Sequence, residues 1–178
     1  ASILDMIFFL PITLITIFLE GYGKYSWFFA LLFCLTCNLF YRIYLMKKIN
    51  SSPGKLLLGL KIIKINGQNI TWKEVILRNA VGVLLTLISS VMLIYCLFQT
   101  DSKILENLNW KERNEYLTSF STTFFKIHNW TLIFWILIEF ISLMTNKRKR
   151  EINDFIAKTV VVRTKFIDRI RSEMKIEN

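Results

Sequence analysis

The chain has 178 residues, 53% of them apolar and 15% aromatic, and its formal net charge is +10 at pH 7. This composition is typical of a membrane protein, because a soluble domain of this length does not need four apolar runs of about 20 residues. The basic residues flank these runs and do not interleave with aromatic residues on a polar face. We therefore attribute the charge to membrane topology and expect no nucleic-acid partner.

Four apolar runs predict four transmembrane helices within one all-α membrane domain that covers residues 1–178. The predicted spans are 1–19, 27–45, 78–97 and 127–144. The first run has no initial methionine and contains an acid. We therefore expect it to begin inside a helix and not to be a cleaved signal peptide.

A polar stretch between the second and third runs departs from the apolar pattern. Ser52-Pro53 predicts the start of a short helix, and Gly59 predicts its end. The residues from Leu60 to Ile65 then predict a strand. Asn66-Gly67 predicts a type I′ turn, which leads into a short return strand.

A further strand is predicted near the end of the chain, where Thr159 is followed by three valines. Pairing of this strand with residues 60–65 predicts a three-stranded patch. We call residues 47–73 and 147–163 the collar. The predicted fold is thus four transmembrane helices with a small cytoplasmic β-hairpin collar and a C-terminal amphipathic helix.

The distribution of lysine and arginine predicts the orientation. Residues 42–73 carry seven of them and residues 147–178 carry ten, whereas the turn at 20–26 carries one. The positive-inside rule then makes the collar and both chain termini cytoplasmic. The segment 99–127, in which four acids offset four bases, is predicted to be extracytoplasmic and partly helical, from Ser102 to Thr118.

Residues 164–178 predict the amphipathic helix, because Phe166, Ile167 and Ile170 share one helical stripe among basic residues. The last five residues are equally well explained as a solvated, frayed tail. We expect this helix and the basic run before it to contact anionic lipid head groups or a partner subunit. The residues expected at these contacts are Lys147, Arg148, Lys149, Arg150, Arg169 and Arg171.

Two acids lie inside predicted spans, where a charged side chain costs about 2.5 to 3.5 kcal/mol at the bilayer centre. In a transporter they bind protons or cations, because desolvation raises the pKa of a carboxyl group. In a structural role, Asp5 pairs with Arg78 or with an upstream arginine, and Glu139 pairs with Arg42 or a hydroxyl group. Asp154 is expected to cap a helix or to bind a base of the collar. The candidate carboxylates are Asp5, Glu139 and Asp154, and their candidate charge partners are Arg42, Lys55 and Arg78.

No other motif predicts chemistry. Gly54-Lys55 lacks the spacing of a phosphate-binding loop, and a single histidine, His128, leaves no room for a Ser-His-Asp arrangement. Cys34 and Cys37 form a C-x-x-C inside an apolar run, where we interpret them as packing residues. No cluster has metal-ligand spacing. We therefore predict no enzyme, no cofactor and no metal.

Three parts of the sequence resemble the signatures of the RDD family of bacterial membrane proteins. The run from Pro53 to Ile63, the Asn66-Gly67 turn and Arg78-Asn79 are similar to its first cytoplasmic signature. Residues 153–162 are similar to its second signature, and Asp5 is similar to its first-helix aspartate. The sequence departs from the family where Asn153 replaces a common histidine and Lys158 a usual glycine, and it lacks the arginine that precedes the aspartate.

The resemblance implies a protein of the bacterial cytoplasmic membrane that acts in transport, with Na⁺(K⁺)/H⁺ antiport attributed to some members. Our first hypothesis is a small multi-pass transporter of a small ligand or cation that uses buried carboxylates. We expect a homo-oligomer or a complex with a membrane partner subunit, because four helices offer little room for a path. The alternative is a non-transporting scaffold or adaptor that binds partner proteins or anionic lipid.

Overall fold

The computed structural model describes residues 2–20, 22–146 and 150–176. Most of these residues are helical, and two short strands form a sheet. The helices are α1 (Ser2–Glu20), α2 (Lys24–Ile49), α3 (Pro53–Leu57), α4 (Trp72–Gln99), α5 (Ser102–Glu106), α6 (Trp110–Ser119), α7 (Thr122–Thr145), α8 (Ile152–Ile156) and α9 (Ile167–Ile176). The strands are β1 (Leu60–Lys64) and β2 (Thr159–Arg163).

Three helices of the described ranges, α2, α4 and α7, are long and apolar enough to cross a membrane. Each extends several residues beyond its predicted span, because backbone hydrogen bonding continues from the apolar run into polar flanks. The first predicted span forms the 19-residue helix α1, which contains Pro11. The fourth membrane crossing therefore stays a prediction.

The two strands pair in antiparallel fashion, with Leu60 opposite Arg163 and Lys64 opposite Thr159. This pairing of the two strand segments was predicted, but the three-stranded patch was wrong. The return strand is reduced to one isolated bridge between Ile63 and Asn69. The sheet therefore has two strands, and its cytoplasmic position stays a prediction.

The predicted type I′ turn is also wrong, because Asn66 does not adopt a positive φ. Its Oδ1 accepts a hydrogen bond from the Gln68 amide at 3.2 Å. Gly67, at φ 76°, takes the left-handed position and donates its N–H to the Lys64 carbonyl at 3.0 Å. The Asn66 side chain thus forms an Asx-turn, in which Asn66 does not need a positive φ. The chain leaves the sheet after the single bridge between Ile63 and Asn69.

The start and end of α3 follow the sequence prediction. The Ser52 hydroxyl accepts a hydrogen bond from the Lys55 amide at 3.4 Å, and proline occupies the first helical position. Gly59 adopts φ 65° after the helix, a conformation that costs glycine little because it has no Cβ. β1 begins at the next residue.

The chain divides into two compact units. We call the first the sheet unit; it comprises Ala1–Phe8, Leu39–Val81 and Trp135–Asn178. We call the second the apolar unit; it comprises Phe9–Asn38 and Gly82–Phe134.

The apolar unit is organised around a hydrophobic cluster. The segment 99–127 forms two helices, α5 and α6, where the sequence predicted one from Ser102 to Thr118. The second helix begins after Asn109, because the Asn109 and Glu112 side chains form a capping box there. Both helices contribute a fully buried leucine to the cluster. Its buried members are Trp27, Ala30, Cys96, Leu97, Leu105 and Leu117.

The sheet unit has a smaller apolar cluster of Met46, Ile62, Ile70 and Val75. The predicted amphipathic helix is present as α9 after one 3₁₀ turn. Ile167 at its start is buried. The interior of this unit also contains the buried charged side chains of Arg78 and Asp154, which belong to the candidate site.

Candidate functional site

Six ionisable side chains of the sheet unit form what we call the charge cluster. They come from α1, α3, α4, α7 and the start of α8, so the fold gathers residues that lie up to about 150 positions apart. Lys55 is electrostatically coupled to four of the others. The members are Asp5, Lys55, Arg78, Glu139, Glu151 and Asp154.

A buried ion pair between Arg78 and Asp154 lies at one end of the cluster. Arg78 is 4% exposed and Asp154 is 1% exposed, so neither charge is solvated. The buried Thr159 hydroxyl donates to Asp154 Oδ1 at 3.0 Å and accepts from Arg78 Nη1 at 2.9 Å. Breaking such a pair typically costs about 3 to 5 kcal/mol, because the remaining charge stays buried and uncompensated.

Glu151 connects this pair to Lys55. Its Oε2 lies 3.3 Å from Arg78 Nη2, and its Oε1 lies 3.8 Å from Lys55 Nζ. The Glu151 amide donates to Asp154 Oδ2 at 3.2 Å, which places that carboxylate at the start of α8. Asp154 thus contacts Arg78 and the first turn of α8, whereas Lys55 pairs with Glu151.

Lys55 is a largely buried base, with its side chain 13% exposed, and it lies near both a second base and several carboxylates. Burial is the main cause that lowers its pKa, and the nearby Arg78 guanidinium lowers it further. The carboxylates of Glu151, Asp5 and Glu139 act in the opposite direction. The charge on Lys55 is therefore less favourable than the charge on a solvated lysine.

Asp5 does not pair with Arg78, which corrects our structural interpretation. Its Oδ1 accepts from the Tyr41 hydroxyl at 2.5 Å and from the Gly54 amide at 2.7 Å. Its Oδ2 accepts from the Ser52 hydroxyl at 2.8 Å. All three donors are uncharged, because the acids nearer to Arg78 already occupy its guanidinium. The hydrogen bonds of Asp5 therefore leave its negative charge without a direct counter-charge.

A π-helical segment of α2, Phe40–Leu45, carries Tyr41. Such wide turns are frequent at functional sites. The Asn79 amide donates to the Arg42 carbonyl in this segment at 3.1 Å and to the Val75 carbonyl at 2.9 Å. Asn79 therefore joins α4 to the turn that positions Tyr41.

Glu139 does not pair with Arg42 or with a hydroxyl group, which corrects the second structural expectation. Its Oε1 accepts from Trp135 Nε1 at 2.8 Å and from Asn153 Nδ2 at 2.6 Å. The indole lies one turn away on α7, and its N–H satisfies the carboxylate without a charge. Arg42 Nε is buried and has no hydrogen-bond partner among the described residues.

The expected lipid-contact residues fall into three groups. Lys147, Arg148 and Lys149 lie outside the described residues. Arg150 donates to the Asp154 carbonyl at 3.1 Å and stacks over the Phe155 ring. Arg169 forms an exposed ion pair with Glu173 on α9. Arg171 donates to the Gly67 carbonyl at 3.1 Å and to Asn69 Oδ1 at 2.8 Å, which ties α9 to the turn after β1.

Several residues of the site were missed by the sequence analysis. Tyr41 and Ser52 were interpreted only as an interface aromatic and a helix cap, because their contact with Asp5 spans 36 and 47 residues. Glu151 and Thr159 could have been found, since each lies within five positions of Asp154 in the second signature. Trp135 precedes Glu139 by one helical turn, which is also a recognisable spacing.

The charge cluster contains more carboxylates than bases. Across residues 2–20, 22–146 and 150–176, no group of three or more His, Cys, Asp and Glu side chains could hold a metal ion. The cluster brings four carboxylates to two bases, and two of those carboxylates are held only by uncharged donors. The cluster therefore has two more negative than positive groups, and a proton or a monovalent cation can supply a compensating charge.

The signatures that build this cluster also give the match to known proteins. The profile of the RDD family matches residues 1–158, which include the Asp5 region, the first signature and residues 153–158 of the second signature. Searches of curated proteins and of solved structures find no significant match. The matched region covers most of the chain and all six members of the charge cluster, and the chain therefore belongs to the RDD family.

Proposed function

We propose that the chain is a four-span protein of the bacterial cytoplasmic membrane, with both termini cytoplasmic, that exchanges protons for a monovalent cation at the charge cluster. The observation that carries the proposal is the setting of Asp5, whose carboxylate accepts hydrogen bonds from three donors of the described chain, all of them uncharged. A membrane carboxylate without a direct counter-charge is a candidate ion ligand by default.

Coupling between proton binding and cation binding follows from the proximity of Lys55 to the carboxylates. Lys55 is close enough to Asp5 and Glu139 for both to act on its pKa. A proton on Lys55 places a positive charge beside these carboxylates and repels a bound cation. Loss of that proton makes the site more negative, which strengthens its attraction for Na⁺ or K⁺. Because burial lowers the pKa of Lys55, this proton is released more readily than from a solvated lysine.

Oxygen atoms around Asp5 suit a small hard cation. The Tyr41 and Ser52 hydroxyl groups lie within hydrogen-bond distance of the carboxylate. Each hydroxyl oxygen has lone pairs that can turn toward a cation bound at Asp5. Oxygen donors of this kind are those that alkali and alkaline-earth cations prefer over nitrogen or sulfur.

Asp5→Asn tests the proposal. The asparagine Oδ1 can still accept from Tyr41 and Gly54, and its Nδ2 can donate to the Ser52 oxygen, so the hydrogen bonds survive while the charge is lost. We expect the variant to accumulate normally in membranes and to lose pH-dependent cation movement in everted vesicles. Asp168→Asn, which neutralises an exposed acid of α9, is the matched control. Normal cation movement in the Asp5→Asn protein would overturn the proposal.

A second candidate function is a non-transporting scaffold, and one observation favours it. No described residue of α7 is buried, and one broad face of this 24-residue helix exposes apolar side chains from Ile127 to Met144. Lipid alone or a second membrane protein can cover such a surface. Absence of cation movement in the unmodified protein, together with a stable complex in mild detergent, would favour the scaffold.

A further inference from the structure

A second polar feature of the sheet unit is separate from the charge cluster. It is a cavity of about 350 Å³ at the end of α2 and the start of α4. α2 and α4 are two of the three helices that can span a membrane, so their ends mark a membrane interface. The cavity is lined by Tyr44, Lys47, Lys48, Asn50, Asn69 and Trp72.

The charge of this cavity is positive. Its lining contains two lysines and no acid. Within the described part of the chain, neither Lys47 nor Lys48 takes part in an ion pair. Two adjacent ammonium groups without carboxylate partners attract a phosphate, and each basic residue near a membrane surface contributes to such binding.

The aromatic residues of the cavity are those of a membrane interface. The Tyr44 and Trp72 rings have centroids 6.4 Å apart, and both side chains are about half exposed. Tyrosine and tryptophan at helix ends place an apolar ring beside acyl chains and a polar group beside head groups. A ligand with both a phosphate and an acyl glycerol region therefore fits this lining better than a free phosphate.

The amides add selectivity for the head group. Asn50 Oδ1 is buried and has no hydrogen-bond partner among the described residues. An unpaired buried acceptor is costly and is satisfied by a ligand hydroxyl. Asn69 Oδ1 already accepts from Arg171 at 2.8 Å, which fixes the orientation of its amide and leaves its N–H groups as donors. The cavity therefore offers cations, donors and one free acceptor.

We propose that this cavity binds the head group of an anionic phospholipid that carries free hydroxyl groups, as phosphatidylglycerol does. The two lysines bind its phosphate, and Asn50 Oδ1 accepts from a head-group hydroxyl. Tyr44 and Trp72 border the ester region. This site does not depend on cation exchange at the charge cluster, so the two proposals can fail separately.

Native mass spectrometry of the full chain in detergent, titrated with phosphatidylglycerol, tests the site. We expect one tightly bound lipid, and Lys47→Gln with Lys48→Gln weakens it roughly ten- to thirtyfold. The control replaces Lys103 and Lys111 of α5 and α6 by glutamine, which removes the same charge elsewhere. Equal losses in both double variants would overturn a specific site.

Two further measurements in the same mass-spectrometric titration identify the ligand. Asn50→Gly accommodates the left-handed conformation of this position, φ 52°, and removes the side-chain amide together with its Oδ1 acceptor. We expect it to weaken phosphatidylglycerol and to leave phosphatidic acid, which lacks head-group hydroxyls, unchanged. Free glycerol phosphate is expected to compete poorly. Competition by glycerol phosphate at the affinity of the lipid would overturn the lipid assignment, and equal effects of Asn50→Gly on both lipids would overturn the role of the hydroxyl group.

Discussion

Basic side chains serve different purposes in the two units. In the apolar unit, Arg113 donates to the Glu20 carbonyl, and Lys24 Nζ donates to the Phe98 and Thr100 carbonyls at 3.2 and 2.6 Å. These carbonyls lie at the ends of α1 and α4, where helices lack internal donors. In the sheet unit, Arg78 instead binds the carboxylates of Asp154 and Glu151.

This difference indicates which unit can respond to ions. A backbone carbonyl cannot titrate, so the acceptors that these bases bind in the apolar unit do not change charge with pH. Carboxylates and a lysine can change charge, and in the sheet unit they lie within mutual electrostatic reach. We therefore expect the apolar unit to determine mainly stability and the sheet unit to determine both stability and activity.

The largest effect is expected from breaking the ion pair of the sheet unit. Asp154→Leu removes the buried carboxylate from Arg78 and leaves it only the partly exposed Glu151, so the free energy of unfolding should fall by up to about 3 to 5 kcal/mol. Thermal unfolding in detergent, monitored by size-exclusion chromatography, measures this loss of stability. Asp154→Leu combined with Arg78→Met removes both charges and should recover much of the stability. A double variant as unstable as the single one would contradict our assignment of the cost to the stranded charge.

A comparable loss of stability in the apolar unit should have a different effect on cation movement. Leu117→Ala empties part of the hydrophobic cluster and should cost about 2 to 5 kcal/mol of unfolding free energy. Because Leu117 is not part of the charge cluster, protein that remains folded at low temperature should keep its cation movement. Ile104→Ala, at an exposed position of α5, is the control and should cost much less. Loss of cation movement in folded Leu117→Ala protein would contradict the division between the units.

The lowered pKa of Lys55 predicts how stability depends on pH. The unfolded chain binds the Lys55 proton up to about pH 10.4, whereas the folded protein releases it at a lower pH. Between these values the unfolded state binds more protons, so stability should rise as the pH increases. Lys55→Met should reduce this rise, as measured by thermal unfolding at a series of pH values from neutral to alkaline. Lys111→Met, in the apolar unit, controls for loss of a lysine. An unchanged pH dependence in Lys55→Met protein would show that Lys55 is not the group responsible.

Local patterns in the sequence predicted the elements well but not the partners of the charged residues. Apolar run lengths located α2, α4 and α7, and β-branched residues located β1 and β2, because these signals depend on neighbouring residues. The donors to Asp5 could not be predicted, since they belong to other segments and are uncharged, and of the two donors to Glu139 only Trp135 lies on the same helix. A search for opposite charges therefore named Arg78 and Arg42, whereas hydroxyl, amide and indole groups satisfy the two carboxylates.

The smallest effect concerns backbone strain, which also differs between the units. Among the described residues, the only non-glycine positions with positive φ are Asn50 and Lys158, both in the sheet unit. In the apolar unit, a positive φ occurs only at Gly23 within the described residues. Lys158 follows the last turn of α8 at φ 52° and occupies the place of a usual family glycine. The left-handed conformation costs a side chain about 1 to 2 kcal/mol, because Cβ approaches the following carbonyl oxygen.

Lys158→Gly should therefore stabilise the protein, although glycine loses more backbone entropy on folding. The net gain should be about 0.5 to 1 kcal/mol, which corresponds to a rise in melting temperature of roughly 1 to 4 °C. Lys158→Ala is the matched control, because it removes the same charge and keeps the Cβ atom. We expect alanine to give no gain, since its Cβ meets the same carbonyl oxygen. If alanine stabilised the protein as much as glycine, the effect would come from the lysine side chain, and the strain assigned to this position would be wrong.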